Sequence, residues 1–273
     1  DQIARTEGAA TYNTSLGFKA LQNVTGTYNT VLGALAGDAL VGGSENIAIG
    51  FQSLSTEVSG NRNVAVGHQT LYTLNTGGDG NNTAIGYKAG TAMTTGTLNT
   101  IVGGLAGDAL TTGSSNTAIG YESLTADTTG DYNVAIGREA LRLSTLSNKS
   151  VGVGVGTLNS QAQLVKTDTY NVAVGHFAGT AINSGVNNTL VGGLAGDALT
   201  TGSHNVAIGR DALGAEDTRG YNVAVGSYAL QDLNSAADAY NVAIGYNAAK
   251  EMTSGTYNTV LGAQAMSVGI TTG

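Results

Sequence analysis

The sequence predicts an all-β fold, a parallel β-solenoid of about fifteen coils of about 17 residues each. Three observations carry this. First, a five-residue word (Asn, small or β-branched residues, an aliphatic, then Gly) starts at Asn13, Asn29, Asn46, Asn63, Asn82, Asn99, Asn116, Asn133, Asn148, Asn171, Asn188, Asn205, Asn222, Asn241 and Asn258. The usual step is 17 residues, with extremes of 15 and 23 in the stretch 133–171. A short fixed period means stacked, near-identical units. Second, the chain holds 42 Gly and no Pro, Cys or Trp, and without a Gly-X-Y period it is not collagen. Third, the second and fourth positions of the word are mostly β-branched, which favours a strand.

The elements of one coil follow from the copy at 116–132, NTAIGYESLTADTTGDY. In an extended strand Thr117 and Ile119 share one face and Ala118 takes the other. The third position is usually Ala but enlarges to Val31, Ile101, Leu190 and Val260. Both faces are thus small or apolar. One fills the coil, and the other needs a cover. Gly120, like Gly137 and Gly209, suits a turn that requires positive φ or close backbone approach. The next segment (Lys19–Leu21, Glu122–Leu124, Glu139–Leu141) is expected to form a second short strand, followed by a polar loop that often reads TTG. Stacking at about 4.8 Å gives fifteen coils a length of roughly 67 Å.

The recurring Asn (Asn116, Asn133, Asn205) suits a side-chain hydrogen-bond ladder along the stack, with Ile119, Ile136 and Ile208 and then Gly120, Gly137 and Gly209 completing the repeat. Tyr precedes Asn at Tyr12, Tyr28, Tyr132, Tyr170, Tyr221, Tyr240 and Tyr257, and a second aromatic follows Gly at Phe18, Phe51, Tyr87, Tyr121 and Tyr246. Both read as packing columns, with sugar stacking as the alternative. A longer repeat overlies the short one: near-identical LAGDAL words recur from Gly33, Gly103 and Gly192. The whole chain, 1–273, reads as one repetitive solenoid with an irregular segment at 141–170, expected to be a distorted coil or an outward loop.

Composition excludes several function classes. The net charge of −8 is spread evenly and disfavours nucleic acid, which needs clustered cations. No apolar run reaches 18 residues, so membrane insertion is not expected. No nucleophile elbow, phosphate loop or zinc-protease motif occurs, so the chain is not read as an enzyme and no cofactor is expected. His68, His176 and His204 fall in separate coils, and Asp38, Asp108 and Asp197 supply one carboxylate per four or five coils, so no metal site is expected.

The word NxAIGxxAL with Gly-rich spacers resembles the head repeats of trimeric autotransporter adhesins (YadA-like heads). It resembles still more the NTAIGYxAL…TTG arrays of bacteriophage tail fibres. The match runs from about Tyr12 to Gly262. The resemblance implies a trimeric parallel β-roll whose strand word packs inward, with Ile119 and Ile136 in the core and Ala118 and Ala135 on the opposite face. The 17-residue coil is longer than the adhesin one.

These readings converge on a structural fibre shaft or adhesin head of a phage tail fibre or cell-surface appendage. It is expected to be extracellular or on the virion surface, to form a parallel homotrimer that covers the second apolar face, and to attach to a surface glycan or receptor. One alternative is a self-assembling extracellular filament that stacks end to end, suggested by TEGAATYN at the start and GITTG at the close, which look like severed loops. A lesser alternative is an ice-binding solenoid, prompted by Thr-rich loops.

Overall fold

The computed structural model describes residues 3–4, 12–216, 218–235 and 238–267. Among these, all regular structure is β, and the architecture is a parallel β-solenoid. The chain divides into two compact units, 1–133 and 134–273.

The first unit holds β1 (Ile3–Ala4) and seven three-residue strands: β2 (Thr14–Leu16), β3 (Thr30–Leu32), β4 (Ile47–Ile49), β5 (Val64–Val66), β6 (Thr83–Ile85), β7 (Thr100–Val102) and β8 (Thr117–Ile119). β2 to β8 pair in parallel and in register, for example Thr100↔Thr117, Ile101↔Ala118 and Val102↔Ile119. β1 pairs antiparallel with β2. The second unit stacks in the same way β9 (Val134–Ile136), β11 (Val151–Val153), β13 (Val172–Val174), β14 (Thr189–Val191), β15 (Val206–Ile208), β16 (Val223–Val225), β17 (Val242–Ile244) and β18 (Thr259–Leu261). A two-stranded parallel sheet of β10 (Thr145–Asn148) and β12 (Ala162–Asp168) stands apart from it.

The sidedness of the strand differs from the one the resemblance implied. Ala118 and Ala135 are fully buried inside the coil, whereas Ile119 and Ile136 are only half-buried on the outward face and Ile208 is 39% exposed. The ladder asparagine decides this. It is buried in coil after coil, and in an extended strand the residue two places on must share its side. The third position therefore goes in, and the second and fourth go out.

The interior is completed by a Leu eight residues after the Asn and an aliphatic eleven after it, such as Leu54, Leu71, Leu74 and Leu110, all fully buried. At three of the four enlarged strand centres the eighth position is Gly: Val31 with Gly37, Ile101 with Gly107, Leu190 with Gly196; Val260 has Met266 there instead. A Cβ on Gly107 would lie 3.2 Å from Ile101 Cδ1, and one on Gly196 would lie 2.8 Å from Leu190 Cδ2. The LAGDAL word is thus the partner of an enlarged strand centre.

The expected second strand is absent. That segment is a run of turns, because Glu122 and Leu124 (φ 53° and 51°), like Glu139 and Leu141, adopt the left-handed conformation. Alternation of left-handed residues cannot extend into a strand. Among the described residues each coil has one strand, apart from the two that also carry β10 and β12, and the remaining backbone pairs in single inter-coil bonds such as Leu141 N to Thr157 O at 2.9 Å.

The irregular segment also shifts one repeat boundary. β11 centres on Gly152, which pairs with Ala135 and Ala173. The ladder position of that coil is therefore Ser150, not Asn148, and the local steps are 17 and 21 residues rather than 15 and 23. Residues 163–166 loop out opposite the single Leu146, between Ala162, paired with Thr145, and Thr167, paired with Ser147, and so take up three of the four extra residues. Leu164 is almost wholly exposed at the tip.

Candidate functional site

The ladder comes first, because it orients every other surface. Asn116 Nδ2 donates to Gly130 O at 2.8 Å, its backbone N donates to Asn99 Oδ1, and its own Oδ1 accepts from Asn133 N at 2.9 Å. Asn205 repeats this, with its N donating to Asn188 Oδ1 at 3.0 Å and its Nδ2 to Arg219 O at 3.1 Å. The amide thus satisfies buried backbone groups in its own and the neighbouring coil, as a solenoid interior requires. At Ser150 the side chain is too short. Gln161 fills the gap, donating from Nε2 to Ser150 Oγ at 2.6 Å and accepting from Asn171 Nδ2 at 3.1 Å.

The repeat glycines allow this stacking. Gly120, Gly137 and Gly209 have φ of 135°, 131° and 135°, where an L side chain is strained. A Cβ on Gly209 would lie 2.5 Å from the Gly226 carbonyl carbon.

With Asn and Ala turned inward, the outward face carries two in-register columns. One holds the Thr and Val of the second position, and the other holds Ile119, Ile136, Ile208 and their equivalents. Leu16, Leu32, Ile47, Ile85 and Ile244 are between 38 and 46% exposed. In each unit seven or eight strands at about 4.8 Å form a stripe whose footprint is roughly 400 Å², counting side-chain width. That is comparable with the largest apolar patch of a typical monomer, which is often functional. Thr14, Thr30, Thr83, Thr100 and Thr117 occupy five of the seven second positions in the first unit, so Thr lines this outward face as well as the loops that prompted the ice-binding alternative.

Aromatic columns flank the stripe. Before the ladder Asn, His204, Tyr221, Tyr240 and Tyr257 stack with centroids 4.9, 4.9 and 5.1 Å apart and planes within 14°. After the Gly, His68 lies between Phe51 and Tyr87 at 5.4 Å from each. His176 meets Phe177 edge-on. Each histidine is thus a member of an aromatic contact. In the stacked columns the ring faces cover one another and present mainly edges to solvent, which does not favour sugar stacking on these rings.

Carboxylates occupy two kinds of place. Glu57, Asp127 and Glu216 are fully buried at the position eleven after the ladder residue, where most coils have Leu, Ile, Val or Met. Glu57 accepts from Gly60 N, Thr76 N and Thr76 Oγ1 at 2.7, 3.0 and 3.2 Å, and Glu216 does the same with Arg219 N, Ser235 N and Ser235 Oγ. In both cases the next coil (63–81, 222–240) is two residues longer than usual. The buried Glu anchors the enlarged turn. This arrangement was not read from the sequence, although an acid at a core position before a long coil was visible there.

The LAGDAL aspartates behave differently. Asp38 accepts from Ser55 Oγ. In the equivalent place Thr125 donates instead to Leu105 O, and Asp108 Oδ1 has no partner. Gly214 stands in that place beside Asp197. Burial raises both Asp108 and Asp197 above the usual carboxylate range. Among the described residues no three His, Cys, Asp or Glu side chains converge on a metal position, and no helix is long and apolar enough to cross a membrane. In the excursion, Lys149 pairs with Asp168 and lies over the Tyr170 ring at 5.0 Å. The pairing raises Lys149 and lowers Asp168 from their ordinary values.

No family model, characterised protein or solved structure matches this chain.

Proposed function

We propose that the chain is a structural solenoid that works as a fibre shaft or adhesin head, on a phage tail fibre or a cell-surface appendage outside the cell. One observation carries the reading. In the main sheet every strand from β2 onward, in register with its neighbours, presents an aliphatic fourth residue outward beside a Thr, Val or Ile second residue, none of them buried. A repeated stripe of this kind gains most by packing against an identical stripe. The surface the sequence analysis assigned to the third position is therefore assigned to the second and fourth. Copies of the chain cover it in a parallel homotrimer, and attachment to a host glycan or receptor is left to surfaces outside the stripe. The resemblance to adhesin heads and tail-fibre arrays agrees with this use of a solenoid. Electron microscopy of the purified chain tests it. Discrete elongated particles of three parallel solenoids are expected. Continuous filaments would favour end-to-end self-assembly instead.

A second reading has its own observation. The outward Thr column of the first unit repeats at the strand spacing, as an ice-binding surface would require. Ice crystals shaped or held back by the protein would favour it, and unmodified crystal growth would exclude it.

A further inference from the structure

The chain has no cysteine, so no disulfide ties one coil to the next. One column of side chains has the chemistry for another covalent tie. Tyr221, Tyr240 and Tyr257 occupy the position before the ladder Asn in three successive coils, with ring centroids 4.9 and 5.1 Å apart. Tyr12 and Tyr28 form the same pair in the first unit at 5.0 Å, with planes 3° apart. All five rings are at least 42% exposed. The parallel register Val223↔Val242 and Val242↔Thr259 holds the second-unit tyrosines one strand spacing apart.

We propose that these tyrosine columns are oxidative cross-linking sites, at which a haem peroxidase with hydrogen peroxide couples adjacent rings into dityrosine. Each phenol loses one electron and one proton to give a phenoxyl radical. The two radicals form a carbon–carbon bond between the ring carbons ortho to oxygen. The hydrogen on each of those carbons then moves to its oxygen, restoring two phenols. Two tyrosines thus lose one hydrogen each, and one hydrogen peroxide becomes two waters.

The stack as it stands presents ring faces. Coupling requires both rings to leave this stack, turning about the Cβ–Cγ bond and shifting so that their ortho carbons face one another. Holding the partners one strand spacing apart replaces a diffusional encounter with an intramolecular one. The bond would close loops of 16 to 19 residues between consecutive coils, the kind of constraint that a disulfide places on an unfolded chain. Tyr228 and Tyr246 provide an internal comparison. They meet edge-on at 6.3 Å and 78°, and Tyr228 is occupied by Arg210 and Lys250.

The test treats the dilute full chain with a haem peroxidase and hydrogen peroxide, then reads dityrosine fluorescence and maps the linked peptides by mass spectrometry. Links within single chains are expected at 12–28, 221–240 and 240–257, each lighter by two hydrogens, in excess of any 228–246 link. Tyr240→Phe keeps the ring and the stack. It should abolish both second-unit links while sparing 12–28, with the circular dichroism spectrum unchanged. The proposal is overturned if no dityrosine forms where free tyrosine couples, if links spread over the tyrosines without regard to spacing, or if they form only between chains.

Discussion

Each buried Asn side chain serves backbone groups of two coils, so its loss leaves donors and acceptors stranded. Asn188→Ala removes the acceptor for Asn205 N and the donor to Gly202 O. It should cost about 2–4 kcal/mol, given about 1–3 kcal/mol per stranded buried group, measured as a loss in urea-unfolding free energy. Left-handed residues outside the core point the other way. Ser115 sits at φ 59° and is not buried. Ser115→Gly should stabilise by up to about 1 kcal/mol, since the left-handed penalty disappears. Asp108 gives a pH signature. Its folded-state affinity for protons exceeds its unfolded one, so its charge opposes folding above the folded value, and that penalty fades as pH falls through it. Asp108→Asn should therefore raise the melting temperature at pH 7, and the gain should vanish in acid near pH 3. A gain that persists there would mean that burial of the charge is not its cause.

At the scale of the coil, volume is shared between the strand centre and the eighth position. Gly107→Ala pushes a methyl toward Ile101 and places it on a left-handed residue (φ 53°), so it should cost about 2–5 kcal/mol. In an Ile101→Ala background the clash is relieved and only the left-handed cost of about 1–2 kcal/mol should remain, which a double-mutant cycle reads directly. The solenoid itself was legible in the sequence, because the 17-residue word spells out Asn, strand and Gly. The in-register glycines were legible for the same reason. The sidedness was harder to read. Thr117 and Ile119 look like core by hydropathy, and only the burial of the Asn amides fixes parity and turns Ala118 inward. The second strand was misread because left-handed Leu124 and Leu141 are ordinary leucines in sequence. The Ser150 coil was misread because Asn148 offers a decoy two residues early, and the substitute amide of Gln161 lies eleven residues away.

For the whole molecule, the outward stripe is the surface with most to gain from assembly. Ile208→Lys with Ile244→Lys places charges on it without touching the ladder or the interior. The pair should leave the β spectrum intact and shift the protein to smaller species, because a charge buried at an apolar interface without a partner costs several kcal/mol. The most direct measurement is the solution mass of the unaltered chain by sedimentation equilibrium. A parallel homotrimer gives three times the chain mass of 27.2 kDa, independent of concentration over the micromolar range. A stable single-chain mass would contradict it and leave the stripe as an open surface.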